Sequence, residues 1–481
     1  MLGAFPDMGR GLGRHMADFS PAEIGALMTT ANRRQFMVGV GTAAAVGLPG
    51  HPAASATGPG SDAAALTYQG PELVDANGTV DWEAVRAEFR LDPRWAHFGL
   101  FLIASHPRPV REAIEFYQRK IDADPLWADE QLFTPGQDIR TGIKAVLADY
   151  IGGRAEEISL MPSTTIGLAM FFAGLRIRPG QELLTTEHDF YSLHESARRA
   201  AEKNDATVRF VRLYDDPAKA SGAQMVERLR RSIRPKTRAV AVTWVHSSTG
   251  VRLPLAPIVD AVAEANQGRA ESDRCLLLVD AVHGLGVDDV AAARWGADFV
   301  VAGTHKWLFT PRGTGMLWGK AELWPHLHPT IPTFEFTPEV DEAWLKRRPL
   351  PPTRASYVSP GGTFAYEYQF AMPAGIAFHR RIGPHRIKAR IHQLSDHART
   401  ELARMPGVTL RTPLDPALAS GLVCFEVAGM TPAQVVARLA ERRIRATATP
   451  YLPSYARIGT GIMNSPAEVD RFLRAVRDLR P

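Results

Sequence analysis

Lys306 is the residue on which chemistry can be built. It lies in Phe299-Val300-Val301-Ala302-Gly303-Thr304-His305-Lys306-Trp307-Leu308-Phe309, between an apolar run and a group of aromatics. Ammonium groups are rarely buried unless they have a task. Burial lowers a lysine's pKa and makes the neutral amine available as a nucleophile. A lone lysine beside a strand is more often a surface residue, so neighbouring chemistry has to be sought. Upstream, Cys275-Leu276-Leu277-Leu278-Val279-Asp280 is a continuous apolar run ending in a carboxylate. That is the pattern of a buried parallel strand. Open α/β sheets bind ligands at the carboxyl ends of their strands, where Asp280 falls. The commoner fate of such an aspartate is to cap the next helix.

A hydroxyl cluster, Ser163-Thr164-Thr165, opens a helical stretch. Hydroxyls and free amides at a helix start can cradle a phosphate, although such clusters are usually plain caps. A buried lysine, a strand-end acid and hydroxyl clusters together match the needs of pyridoxal phosphate (PLP). That cofactor takes a lysine as a Schiff base and an acid against its pyridine nitrogen.

Three ordered motifs carry a family resemblance. Thr304-His305-Lys306, Asp280-Ala281-Val282-His283 and Arg457-Ile458-Gly459-Thr460-Gly461-Ile462-Met463-Asn464 resemble signatures of the class V aminotransferase family. The likeness is greatest to its isopenicillin N epimerase-like branch. Trp244-Val245-His246-Ser247-Ser248-Thr249-Gly250 and Ser359-Pro360-Gly361-Gly362-Thr363 are similar to stretches of exported, periplasmic, pyoverdine-modifying members. The resemblance spans residues 80 to 481. It implies an α/β, fold type I PLP-dependent architecture: a large domain with a mostly parallel seven-stranded sheet, and a small C-terminal α/β domain.

The resemblance also implies roles. Lys306 would carry PLP and move the substrate's α-proton, and Asp280 would face the ring nitrogen. Ser163, Thr164, Thr165, Thr304 and His305 would lie around the phosphate. A ring covers the PLP face at the turn after Thr186; Phe190 is the first choice, Tyr191 the second, with His188 behind them. His246 or Ser247 would approach the 3′ oxygen, and His283 would orient Asp280 or touch that oxygen. Arg457 would clamp the substrate carboxylate through a bidentate pair. Gly362 and Thr363 belong to a loop that, in relatives, supplies a phosphate contact to the neighbouring subunit, which implies a homodimer. The substrate would be a small amino acid or a peptidic molecule. Epimerisation, amino-group transfer, and elimination or C-C/C-S cleavage share one proton abstraction, so the motifs leave them open. A catalytically silent binding scaffold is the reading from another class. Cysteine desulfurases, a sister activity, need a persulfide-carrying cysteine on a mobile loop, and 315–362 and 445–457 contain none.

Composition bounds the rest. A chain of 481 residues exceeds one typical domain. Its net charge of +5 is small, and no basic block is interleaved with aromatics, so nucleic-acid binding has little support. Cys275 and Cys424, the two cysteines, sit in apolar runs and read as buried strand residues. No metal-binding spacing is present. Arg33-Arg34-Gln35-Phe36-Met37, an apolar run from Val38 to Leu48, and Ala54-Ser55-Ala56 resemble a twin-arginine export signal over 1–56. The run is too short for a confident membrane span. The reading implies a periplasmic protein, with Met28 as a possible start; the alternative is a chance Arg-Arg in a cytoplasmic one. Residues 57–80 read as a linker, 81–364 as the large domain and 365–481 as the small domain. Within these, 320–358 reads as Pro-rich loop, 369–405 as one long helical pattern running through Gly383, and 444–448 as a strand.

Overall fold

The computed structural model describes residues 70–134, 138–335 and 337–479. Arg33, Arg34, the apolar run after them and Ala54-Ser55-Ala56 lie outside the described residues. The described end of the expected linker is packed rather than open. Val74 bridges to Val80, and Leu73 is fully buried.

After the short β1 (Ala96–His97), seven strands build the central sheet. They are β2 (Ile158–Met161), β3 (Glu182–Thr186), β4 (Thr207–Val211), β5 (Thr237–Thr243), β6 (Leu276–Asp280), β7 (Phe299–Ala302) and β8 (Gly315–Gly319). Their order is β2-β8-β7-β6-β5-β3-β4. The β4–β3, β3–β5, β5–β6 and β6–β7 pairs are parallel, and β8 runs against both its neighbours. The expected mostly parallel sheet is therefore present. Its strands read as unbroken apolar runs because both faces are covered. Leu277, Val279 and Val300 join one core, while Leu276, Leu278 and Val301 join the other. Each such side chain contributes roughly 1.5–3 kcal/mol by leaving water.

The carboxyl ends of β3, β5, β6 and β7 share one edge of the sheet. The turns leaving that edge hold the residues singled out above, as open α/β sheets require. The smaller sheet has the order β12-β13-β10-β9, from β9 (Val408–Leu410), β10 (Leu422–Val427), β12 (Thr447–Ala448) and β13 (Ala456–Gly459). The stretch read as one strand at 444–448 is two. β11 (Ile444–Arg445) pairs in parallel with β1, while β12 turns to pair with β13. The long helical pattern is also interrupted. Gly383 has φ +98° and separates the helix Met372–Ile382 from Pro384–Ala403. A proline cannot complete the preceding turn, so the second helix starts there. The Pro-rich 320–358 segment contains the helix Pro338–Leu345 and two shorter helical turns. Among the described residues no helix is long and apolar enough to cross a membrane.

Candidate active site

β7 ends at Ala302, and Gly303-Thr304-His305-Lys306 turns away from it. Three ties fix that turn. The Gly303 amide donates to Thr164 Oγ1 at 2.7 Å, the Thr304 amide to the Thr314 carbonyl at 3.2 Å, and His305 Nδ1 pairs with the same carbonyl at 2.9 Å. Thr304 is fully buried, and its hydroxyl is held by Thr310 at 2.7 Å and Thr314 at 3.1 Å. It braces the turn rather than facing outward. Phe309, just beyond Lys306, has φ +56°, which is strained for a side-chain-bearing residue. Its ring is held 5.3 Å from Phe89, edge to face.

Lys306 is half-buried, and its amine has no hydrogen-bond or ion-pair partner among the described residues. Desolvation draws its pKa down; the field of Asp280 opposes this and that of Arg457 adds to it. Asp280 ends β6, is 2% exposed, and accepts one amide, from Val282, at 3.0 Å. Burial pushes its carboxyl up, against that amide and the Lys306 charge. His283 lies on the same turn, accepts from Trp307 Nε1 at 3.3 Å and is held neutral, first by burial and then by the Lys306 and Arg457 charges.

The helix Thr164–Gly174 begins beside the lysine turn. Ser163 caps it, accepting from the Ile166 amide at 3.2 Å, while Thr164 is buried and Thr165 exposed. Its first amides have no partner inside the helix. A Cβ added at Gly303 would stand 2.8 Å from His305 Cε1 and 3.1 Å from Thr164 Oγ1, so only glycine lets turn and helix start approach this closely.

Loops after β3 and β5 close the other side. Phe190 is 39% exposed, with its ring 6.0 Å from that of Tyr451. Tyr191 is 70% exposed and points away from packing. His188 is committed elsewhere: it stacks on Tyr214 at 3.8 Å, and its Nε2 accepts from the Leu213 amide. His246 is fully buried and pairs through Nδ1 with the Tyr214 hydroxyl at 2.9 Å. Its Nε2, 3.9 Å from Asp189 Oδ1, and the hydroxyl of Thr243, the residue in register with Asp280, are buried without hydrogen-bond partners among the described residues. Ser247 bonds the Tyr451 hydroxyl at 2.6 Å.

Arg457, on β13, reaches across from the small sheet. Its Nη1 donates to the Ser247 carbonyl, its Nε to Thr447 Oγ1 at 3.1 Å, and its guanidinium lies 4.6 Å over the Phe101 ring. Gly362 and Thr363 are not gathered with Lys306. Gly362 lines a separate cavity of about 240 Å³ with Met161, Pro162 and Thr314, and Thr363 is exposed. Sequence reasoning missed Asp189, which ties β3 to β5: it accepts from Thr185 Oγ1, the Thr186 amide and the Thr243 amide. It also missed Tyr451, for which Tyr451-Leu452-Pro453, just before Arg457, was the available signal; Phe101 belongs to the 97–107 stretch, whose resemblance to an active-site-lining segment pointed to it.

These residues fit PLP on the structure's own terms. They supply an unpartnered desolvated amine, a buried carboxyl with one donor, orphaned polar atoms beside that carboxyl, and a glycine-walled cradle at a helix start. Fold and site together define a PLP-dependent enzyme of fold type I. A family model described as Aminotransferase class-V matches residues 104–472, and the chain belongs to that family. The isopenicillin N epimerase of Streptomyces clavuligerus is 27% identical over 410 residues, covering 82% of this chain and 98% of that one. A probable cysteine desulfurase of Streptomyces coelicolor is 23% identical, over 84% and 98% of the two chains. Among solved structures, the cystine C-S lyase C-DES with cysteine persulfide superposes with TM-score 0.71 at 21% identity, covering 81% and 99%. That last likeness concerns the fold.

Proposed function

We propose that this chain moves the proton at the α-carbon of an amino acid or amino-acid-containing peptide, in the manner of an isopenicillin N epimerase. The observation that carries the reading is Lys306: a desolvated amine without a partner, in the fields of Asp280 and Arg457. Lys306 would hold PLP, Asp280 would face its ring nitrogen, and the Ser163–Thr165 helix start with the Gly303 turn would take its phosphate. Phe190 would cover one ring face, and Ser247 or His246 would meet the ring oxygen. Bound PLP supplies a ring that takes up the electron pair left when the α-proton departs. The chain's own residues do the rest. Arg457 keeps Nη2 for the substrate carboxylate, since Nε and Nη1 are used internally. Lys306, whose hold on a proton burial weakens, takes the α-proton and returns it. A desulfurase role is disfavoured, because both thiols are fully buried and burial pushes each up to about 12.

Borohydride reduction followed by peptide mapping should place a covalent PLP adduct on Lys306, and Lys306→Ala should lose it. An adduct retained on another lysine would remove the assignment. We also propose export through the Arg33-Arg34 signal. Replacing both by lysine should leave the protein in the cytoplasm; a shortened form still reaching the periplasm would count against it.

A further inference from the structure

Inverting a carbon requires a proton to leave one face and another to arrive on the opposite face. Lys306 can serve one face. The titratable side chains near the site leave few choices for the other. His188 is stacked on Tyr214 with Nε2 occupied. His246 is fully buried behind Tyr214, and Tyr214 is itself held by His246 and Thr249. His283 accepts from Trp307 on the lysine's own side. Tyr451 remains. It is half-buried, lies in the fields of Arg457, Asp189 and Asp280, and its hydroxyl meets Ser247.

Its position follows from the sheet. Asp280 ends β6, Lys306 leaves from β7 on one flank, and β5 and β3 lie on the other. Tyr451 is anchored on that other flank, through Ser247 after β5 and the Phe190 ring after β3. Lys306 is thus rooted on the β7 flank of Asp280 and Tyr451 on the β5–β3 flank.

Resting on the epimerase-type reading, we propose that Tyr451 is the second proton-carrying residue, protonating the α-carbon on the face opposite Lys306. In one direction the α C–H bond breaks and an N–H bond forms on Lys306. The Tyr451 O–H bond breaks and a new C–H bond forms on the far face. The phenolate, steadied by Arg457, regains a proton from water through the Ser247 hydroxyl, and Lys306 returns its proton to water. No redox partner is needed. In the other direction the roles exchange: Tyr451 first gives its proton to water through Ser247, the phenolate takes the α-proton, and protonated Lys306 delivers a proton to its own face. Burial raises the phenol, so the protonated form dominates between turnovers.

The test uses the PLP-loaded protein in D2O, with L-alanine and D-alanine as separate probes and α-proton exchange read by NMR. Wild type should exchange both. Tyr451→Phe, which keeps the ring against Phe190, should retain exchange of one enantiomer and lose the other by about 10²–10⁴-fold. Exchange of both, or equal loss of both, in the variant would overturn the proposal. Wild-type exchange of one enantiomer alone would also overturn it while leaving α-proton chemistry standing. Exchange of neither would bring down the proposed function with it. A second reading needs no activity: in the apoprotein, the ultraviolet titration lost on Tyr451→Phe should lie above the ordinary tyrosine value of about 10. A phenol titrating normally would place Tyr451 in solvent and sink the idea.

Discussion

At Lys306 and Asp280, burial and mutual attraction oppose each other. Desolvation favours the neutral forms of both, and their attraction favours the charged forms. A ligand cation placed against Asp280 would tip that balance toward the carboxylate, which is why the empty pair reads as a receptor rather than a structural bridge. Elsewhere, buried histidines give the protein an acid limit. His379 is fully buried between the Tyr150 hydroxyl and the Gly286 carbonyl, and burial lowers it to about 4. The unfolded chain binds its proton at about 6.5, so the native state is penalised as pH falls below that. The stabilisation is complete above pH 6.5 and is lost as pH falls toward 4, amounting to about 2 kcal/mol at pH 5. His379→Gln keeps a donor and an acceptor without the titration. Thermal unfolding at pH 8 and pH 5 should show the variant losing about 2 kcal/mol less than wild type over that interval. Equal losses in both would show that His379 is not neutral in the fold.

At the scale of elements, the site depends on how closely the β7 turn approaches the Thr164–Gly174 helix. Gly303→Ala would force Cβ against His305 and Thr164. Overpacking of this kind costs about 1–3 kcal/mol. The variant should melt lower and, where that cost falls on the bound state, bind PLP about 5- to 150-fold more weakly. Fluorescence titration with PLP would check this; unchanged affinity would move the phosphate site away from the turn. The strands bearing Asp280 and Lys306 were legible because sheets covered on both faces leave unbroken apolar runs with a polar residue at the end. Tyr451 was not, because the loop 449–454 has no period and its partner Ser247 is 204 positions away. Asp189 was hidden for the same reason, its tie to Thr243 spanning 54 positions. The break at Gly383 was hidden differently. Helical patterning continues on both sides of it and outweighed the Gly383-Pro384 pair, which is the sequence signal of the break.

At the scale of the molecule, the phosphate side of the site is open in a single chain. Thr165 is exposed and Ile166 is 38% exposed; on the 97–107 stretch, Leu102 and Ile103 are 44% and 66% exposed. The loop Gly361-Gly362-Thr363 is anchored at its root, where the Gly361 amide meets the Pro332 carbonyl, but presents Thr363 and Phe364 outward. Gly362 holds φ +130°, a conformation costly for other residues, and its carbonyl accepts from the Tyr366 hydroxyl at 3.0 Å. Exposed apolar groups suit an interface when they form one patch, and a two-fold dimer would use the same patch twice. We propose that each loop completes the phosphate site of the other subunit. Co-expression of Lys306→Ala chains with chains altered at Gly362 and Thr363 separates the possibilities. In a heterodimer with shared sites, both lesions fall in one site and the other is intact, so activity should recover to about half of one wild-type dimer's, as site counting under two-fold symmetry requires. If each chain used its own loop, every site would carry one lesion. Proven heterodimers without recovery would therefore remove the shared site and leave Lys306 and Asp280 where they stand.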